Sequence, residues 1–134
     1  MACKTLVTRT TYFPIAQNNF SFAQSLGSSA AYLAALKKGP IVILIAGDSD
    51  HWKYYKSGVI NDPDCFKSGK LNHAVVIVGH SIDTDFGLAY WIVRNSWGNS
   101  WGELGYGKIA ITELGYGICG DAIKGWNIDM KAFL

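Results

Sequence analysis

The sequence predicts an α+β fold, in which one clear helix leads into an antiparallel sheet or half-barrel. The helix is predicted at about residues 28–38, where Ala and Leu fill the interior and Gly39-Pro40 ends the segment. Five Trp, seven Tyr and fifteen Gly favour a β-rich, turn-rich body over a helical bundle. Apolar runs separated by Gly-, Asp- and Ser-rich turns predict strands at residues 41–46, 73–79, 88–94 and 106–111.

The helix and the strand that follows it have separate signals. Ser28 stands at the N-terminal cap of the helix, and Lys37 and Lys38 lie in its last turn. The run 41–46 is apolar at every position, which predicts a central strand. Residues 1–20 have no clear period and are predicted to form an extended lead-in.

The segment between the first two strands is polar and aromatic. Residues 47–50 predict a turn, and residues 61–69 predict a polar loop. Trp52, Tyr54 and Tyr55 form an aromatic patch between them, for which packing is favoured over a binding platform. The sequence has no internal repeat or linker, which predicts a single main domain.

Composition and charge exclude several functional classes. Hydrophobic residues make up 49% of the chain and charged residues 16%, which predicts a folded core. The net charge of +2, without a cluster of Lys or Arg, argues against a nucleic-acid partner. The longest apolar run, 40–46, is far shorter than the roughly 20 residues of a membrane span. Asp48 and Asp50 have no third ligand at a recognisable spacing, so we expect a solvated turn there and no metal site. We also expect no cofactor.

A histidine and an asparagine mark two neighbouring strand ends. His73 begins one predicted strand and Asn95 follows the next, with a loop at residues 81–87 between them, so a hairpin brings both to one rim. An Asn oxygen can accept a ring N–H and so orient an imidazole that takes a proton from a thiol. Trp97 is placed to cover that hydrogen bond. The pattern predicts the orienting half of a cysteine-nucleophile site.

These segments resemble the papain family of cysteine peptidases, over most of the chain from about residue 21 to its end. The resemblance implies the β-rich right-hand domain of that fold at 21–134 and a remnant of the left-hand domain at 1–20. The matching motifs are Asn72-His73-Ala74-Val75, Arg94-Asn95-Ser96-Trp97-Gly98, Trp101-Gly102-Glu103-Leu104-Gly105-Tyr106 and Gly117-Ile118-Cys119-Gly120, and the resemblance extends back through 36–40 and 55–59.

The resemblance also implies roles for the residues around the pair. His73 would be the catalytic base and acid, and Asn95 would orient it. Trp97 would shield both residues, and Trp101 would form part of the surface on the primed side of the substrate. A peptide or protein is the implied substrate.

A pocket and a disulfide are implied in the same way. Leu44 and Ala74 would line the pocket for the substrate's P2 side chain. Lys124 falls near the floor of that pocket, where an amine favours acidic P2 side chains. Cys65 and Cys119 match a disulfide pair of the right-hand domain.

The nucleophile itself is not found in these 134 residues. The family carries it in a Gly-Ser-Cys-Trp segment with a Gln upstream, whereas none of Cys3, Cys65 and Cys119 precedes a Trp. The chain therefore resembles the C-terminal part of the enzyme, and we expect it to be inactive alone. A partner chain or lost segment would supply the cysteine, and Cys3 would match a cysteine that pairs with that part. The alternative is an inactive relative used as a structural or binding subunit; a lectin-like binder is less favoured.

Further expectations concern location and surface residues. Family resemblance implies a lysosomal, vacuolar or secreted protein, although residues 1–4 do not begin an apolar signal-peptide core. Asn19 starts an Asn-Phe-Ser glycosylation triplet, for which use is not the favoured interpretation. His51 and His80 are interpreted as ordinary surface or rim residues.

Overall fold

A single mixed sheet forms the centre of the computed structural model, which describes residues 20–21, 29–113 and 115–128. Its strands are β1 (Phe20–Ser21), β2 (Ile41–Ile45), β3 (Val59–Ile60), β4 (His73–Asp83), β5 (Leu88–Arg94), β6 (Tyr106–Ala110) and β7 (Gly125–Ile128). Across the described residues the order is β1-β7-β2-β4-β5-β6-β3, an open sheet rather than a closed barrel. Neighbouring strands are antiparallel, except that β3 runs parallel to β6. The predicted α+β class is confirmed.

The clear helix, α1 (Ser29–Leu36), is shorter than the predicted 28–38. The Lys38 N–H donates to the Ala35 carbonyl at 3.0 Å and the Gly39 N–H to the Leu36 carbonyl at 3.2 Å. These are turn bonds, and they end the helix before the two lysines. Ser28 and most of the lead-in predicted at 1–20 lie outside the described residues.

Several strands depart from the sequence prediction, and the two-residue strands β1 and β3 were not predicted. β4 continues past the predicted end at residue 79 because its pairing with β5 persists to Asp83, opposite Leu88. A bulge between Ile77 and Gly79 interrupts this ladder and shifts its register. β7 was not predicted, and it pairs with β2 through partners such as Gly125 and Ile43, which places β2 inside the sheet as expected.

Two short helices occupy segments predicted as turn and loop. The turn at 47–50 runs into α2 (Asp50–Lys53), whose first turn is capped when the His51 N–H donates to the Ser49 hydroxyl at 3.2 Å. A 3₁₀ helix at Pro63–Phe66 lies within the predicted polar loop. Trp52 on α2 is fully buried, so the aromatic patch does contribute to packing.

The two faces of the sheet differ in burial. Alternate residues of β2 are completely buried in a core to which α1 contributes Tyr32 and Ala35, namely Ile41, Ile43 and Ile45. The other side of β2, β4 and β7 is apolar but only partly covered, and Val42 keeps 40% of its surface exposed. We call this second side the open face; it consists of Val42, Leu44, Ala74, Val76 and Trp126.

A disulfide joins two loops at one edge of the sheet. Cys65 of the 3₁₀ helix pairs with Cys119, as the family resemblance implied, and both are fully buried. The bond spans 54 residues of sequence. A loop of that size contributes about 4 kcal/mol by chain-entropy reasoning.

Candidate active site

His73 and Asn95 meet at one edge of the sheet. His73 is the first residue of β4, and Asn95 directly follows the last residue of β5. Because β4 and β5 are antiparallel, the start of one lies beside the end of the other. His73 Nε2 and Asn95 Oδ1 are 2.9 Å apart, and Asn95 is only 1% exposed. The structure thus brings the two predicted residues into direct contact.

Hydrogen bonds of the backbone fix the orientation of this pair. The Ser96 N–H donates to Asn95 Oδ1 at 2.8 Å, so the amide oxygen, and not the nitrogen, faces His73. An oxygen acceptor requires a hydrogen on His73 Nε2. In the neutral ring, Nδ1 then carries the lone pair. The site therefore presents an imidazole whose Nδ1 can accept a proton.

Asn95 is held by its own backbone as well. Its N–H donates to the Gly105 carbonyl at 3.0 Å, which ties the end of β5 to the following loop. Within the described residues its buried Nδ2 has no hydrogen-bond partner, so the carboxamide is fixed through its oxygen alone.

Trp97 covers the imidazole. Its ring centroid lies 4.9 Å from that of His73, with 31° between the planes, and the side chain is 42% exposed. The indole therefore packs against the imidazole of His73 and remains partly exposed to solvent. Excluding water on this side strengthens the hydrogen bond beneath it.

Trp101 does not lie on the surface. Only 7% of it is exposed, and its Nε1–H donates to the Trp52 carbonyl at 2.9 Å. Its ring packs 4.4 Å from that of Trp52 and 6.1 Å from that of Trp97. Trp101 is therefore buried and packs against Trp97, whereas its role on the primed side of the substrate stays a prediction.

A glycine that the sequence reasoning missed makes room for His73. A Cβ at Gly47 would overlap the Cβ of His73. The Gly47 N–H also donates to Asn72 Oδ1 at 2.8 Å, which fixes the turn after β2 against the start of β4. A glycine directly after an apolar strand is a signal of such close approach.

The residues assigned to the P2 pocket are neighbours in the sheet. Leu44 and Ala74 are cross-strand partners on the open face, and Ala74 directly follows His73. The Leu44 N–H donates to the Lys124 carbonyl at 3.4 Å, and Lys124 is exposed. Leu44 and Ala74 thus lie together near His73, and the backbone of Lys124 adjoins Leu44, while their role in a P2 pocket stays a prediction.

Other candidate residues lie apart from this pair. His51 is exposed, with Nε2 3.6 Å from an Asp62 oxygen. His80 is exposed and packs edge-on against Trp91, with 6.4 Å between the ring centroids. Cys3 and Asn19 lie outside the described residues.

Two cavities also lie elsewhere. One of about 370 Å³ is lined by residues of α2 and the 3₁₀ helix, and one of about 470 Å³ lies between α1 and β4; neither is lined by His73 or Asn95. No helix in the described part of the chain has the length and hydropathy to cross a membrane.

Comparison with known proteins identifies the class to which this fold and site belong. Residues 2–125 match the family described as papain family cysteine protease. The chain therefore belongs to the papain family of cysteine proteases, as the sequence motifs predicted.

Individual relatives agree with this assignment. Testin-2 of Mus musculus is 41% identical over 98 residues, which are 71% of this chain and 29% of the relative. Macrodontain-1 of Ananas macrodontes is 44% identical over 92 residues, 67% of this chain and 39% of the relative. The chain thus spans well under half the length of these relatives.

A solved structure agrees in fold. The bromelain protease of Ananas comosus, in complex with the E64 inhibitor, superposes with a TM-score of 0.73 at 38% identity. The match covers 82% of this chain and 49% of the bromelain chain.

Proposed function

We propose that this chain supplies the histidine and asparagine of a papain-type peptidase site whose cysteine comes from another chain or another segment. The observation that supports this most is the 2.9 Å contact between His73 Nε2 and Asn95 Oδ1. In this proposal residues 21–134 are the right-hand domain, and residues 1–20 are a remnant of the left-hand domain. The described chain alone has no nucleophile beside His73 and is inactive.

The proposed mechanism uses the two nitrogens of His73 differently. Nδ1 takes the proton of the incoming thiol, and the thiolate attacks the carbonyl carbon of the peptide. Nδ1–H then protonates the leaving amine, which breaks the C–N bond and leaves a thioester. His73 next takes a proton from water, the hydroxide releases the acid, and the proton returns to the sulfur. Asn95 holds Nε2–H throughout and so keeps Nδ1 aimed at the reacting atoms.

The exposed apolar residues of the open face favour a protein partner or domain that covers this face. Val42 is 40% exposed, and its cross-strand neighbours Val76 and Trp126 are only half-buried. A continuous apolar surface of this kind is typical of a protein–protein or domain interface. Ligand sites often lie between domains, so the proposal places the substrate cleft between this domain and its partner.

The proposal includes a substrate preference and a location. Lys124 is exposed and its backbone carbonyl accepts the Leu44 N–H, so in this proposal its ammonium favours peptides with an acidic P2 side chain. A lysosomal, vacuolar or secreted location agrees with the Cys65–Cys119 disulfide, which persists in oxidising compartments.

Labelling of the native complex tests the proposal. The protein is isolated under native conditions, treated with a thiol-directed epoxide and analysed by intact mass spectrometry. We expect the label on a cysteine that precedes Trp, in a co-purifying chain or in a continuation of this one. The proposal fails if no labelled cysteine is found and peptide substrates remain intact.

An inactive structural or binding subunit is the second candidate. It is favoured by the sequence feature that none of the three cysteines stands before Trp. This candidate requires association through the open face without peptide hydrolysis. A stable complex that is not labelled by the epoxide supports this candidate. A protein that stays monomeric in solution and has no partner counts against it.

A further inference from the structure

The imidazole of His73 has two indoles near it, and both of these indoles pack against Trp101. The ring of Trp97 is 4.9 Å from that of His73, and the ring of Trp52 is 6.2 Å away. Both indoles also contact Trp101, at 6.1 Å and 4.4 Å respectively. The position of Trp101 therefore affects both of the indoles near the imidazole.

Trp101 in turn rests on Tyr55. The two ring centroids are 5.2 Å apart, and Tyr55 is 6% exposed. The Tyr55 hydroxyl has two acceptors within reach, the Gly58 carbonyl at 2.6 Å and Glu103 Oε2 at 3.1 Å. Burial, and then the Glu103 carboxylate, raise the pKa of Tyr55, so the phenol remains a donor.

Glu103 belongs to the same loop as Trp97 and Trp101. Its backbone forms a pair of bonds with Tyr106, at 2.9 Å and 3.1 Å. The preceding Gly102 has φ 59°, and a Cβ there would lie 2.6 Å from the Tyr106 carbonyl and 3.0 Å from the Tyr55 ring. Only glycine allows the loop to approach Tyr55 this closely.

We propose that Tyr55 and Glu103 are positioning residues for His73. Their side-chain hydrogen bond ties loop 95–106 to the segment after α2, and Trp101 and Trp97 carry this constraint to the imidazole. Neither residue touches the reacting atoms. The inference rests on the proposed function only for the role of His73 as the base.

The variant Tyr55→Phe tests the inference, because it removes the hydroxyl and keeps the ring. Nitrogen-15 NMR of the full chain measures the tautomer of His73 and the rate at which its Nε2–H exchanges with water. Since the hydroxyl that Gly58 and Glu103 share is lost, we expect exchange to accelerate roughly three- to ten-fold. The matched control is Tyr54→Phe, at a neighbouring tyrosine that is 71% exposed, and it should exchange as the wild type does.

Variants of Glu103 separate positioning from general stability. Glu103→Ala should reproduce the faster exchange, whereas Glu103→Gln, which keeps an acceptor for Tyr55, should restore most of the protection. These variants also serve if Tyr55→Phe does not fold, because the Glu103 side chain is 37% exposed. Thermal unfolding is measured in parallel.

The possible outcomes distinguish this inference from the proposed function. If the wild-type ring carries its hydrogen on Nε2 and neither the Tyr55 nor the Glu103 variants change its exchange, the positioning role is wrong and the proposed function stands. An unchanged exchange rate with a lower melting temperature also overturns it. If the wild-type ring carries its hydrogen on Nδ1, the orientation required by the proposed mechanism is wrong.

Discussion

At the scale of single residues, Asp121 is the least expected group in the core. Its side chain is 1% exposed, and its Oδ1 accepts the Cys119 N–H at 3.1 Å. Gly117 makes room for it, since a Cβ there would contact the carboxyl group. Burial is the main cause that raises the pKa of Asp121 from 3.8 to about 6, against the hydrogen bonds that lower it.

This burial predicts a stability that falls as pH rises. Because the folded pKa lies above the unfolded one, stability is fully present below pH 3.8 and is lost as pH rises through about 6. The contribution is up to about 3 kcal/mol. Urea unfolding between pH 4 and pH 7 should show this loss in the wild type and little of it in Asp121→Asn. An equal slope in both proteins would contradict the assignment.

The contact between Gly47 and His73 predicts a second effect at residue scale. Gly47→Ala places a methyl group against the His73 Cβ, so we expect a loss of about 1–3 kcal/mol in the free energy of unfolding. The control is Gly79→Ala, where the new methyl group would be an ordinary 3.6 Å from Ile92. Urea unfolding measures both variants, and equal losses would show that the close approach is unimportant.

At the scale of elements, the loop between β5 and β6 contains a strained residue. Leu104 has φ 55°, in the left-handed region, although it is 76% exposed. The Arg94 Nη1 donates to the Leu104 carbonyl at 3.2 Å, and the Gly105 N–H donates to the Trp101 carbonyl at 2.8 Å. These bonds hold the loop in a shape that suits glycine or asparagine better than leucine.

Relieving this strain should stabilise the protein. Leu104→Asn keeps the left-handed backbone at lower cost, and we expect the melting temperature to rise in line with about 0.5–1 kcal/mol. Leu104→Ala retains the strain and should change little. The account is wrong if Asn is no more stable than Ala in thermal unfolding.

At this scale, some helices and strands could be predicted from the sequence and others could not. The helix and the strands β2, β4, β5 and β6 have strong local signals, so they could be predicted from apolar runs and turn residues. The strand β7 could not, because Trp126 and Asn127 lack clear alternation and pair with a strand more than eighty residues earlier.

Some features of the candidate active site could likewise be predicted from the sequence, and others could not. The contact of His73 with Asn95 follows from a hairpin and was predictable. The burial of Trp101 and the room left by Gly47 depend on tertiary packing, which a linear pattern does not contain.

At the scale of the whole molecule, the sheet has one buried face and one open face. Val42 is at the centre of the open face, with Trp126 and Val76 as cross-strand neighbours. If this face binds the part that carries the cysteine, Val42→Lys should weaken the native complex at least tenfold while the domain stays folded. Ile82→Lys, at a 61% exposed residue near the end of β4, is the control. Size-exclusion chromatography with light scattering measures both, and equal behaviour would contradict the interface.

The most direct test of the account is peptide hydrolysis by the native complex with His73 replaced. Removing a general base that acts with a nucleophile lowers kcat by a factor on the order of 10³ or more. We expect this loss for His73→Ala, with activity retained in His80→Ala, which changes another histidine of the same strand. Hydrolysis that survives His73→Ala unchanged would contradict the claim that this chain supplies the base.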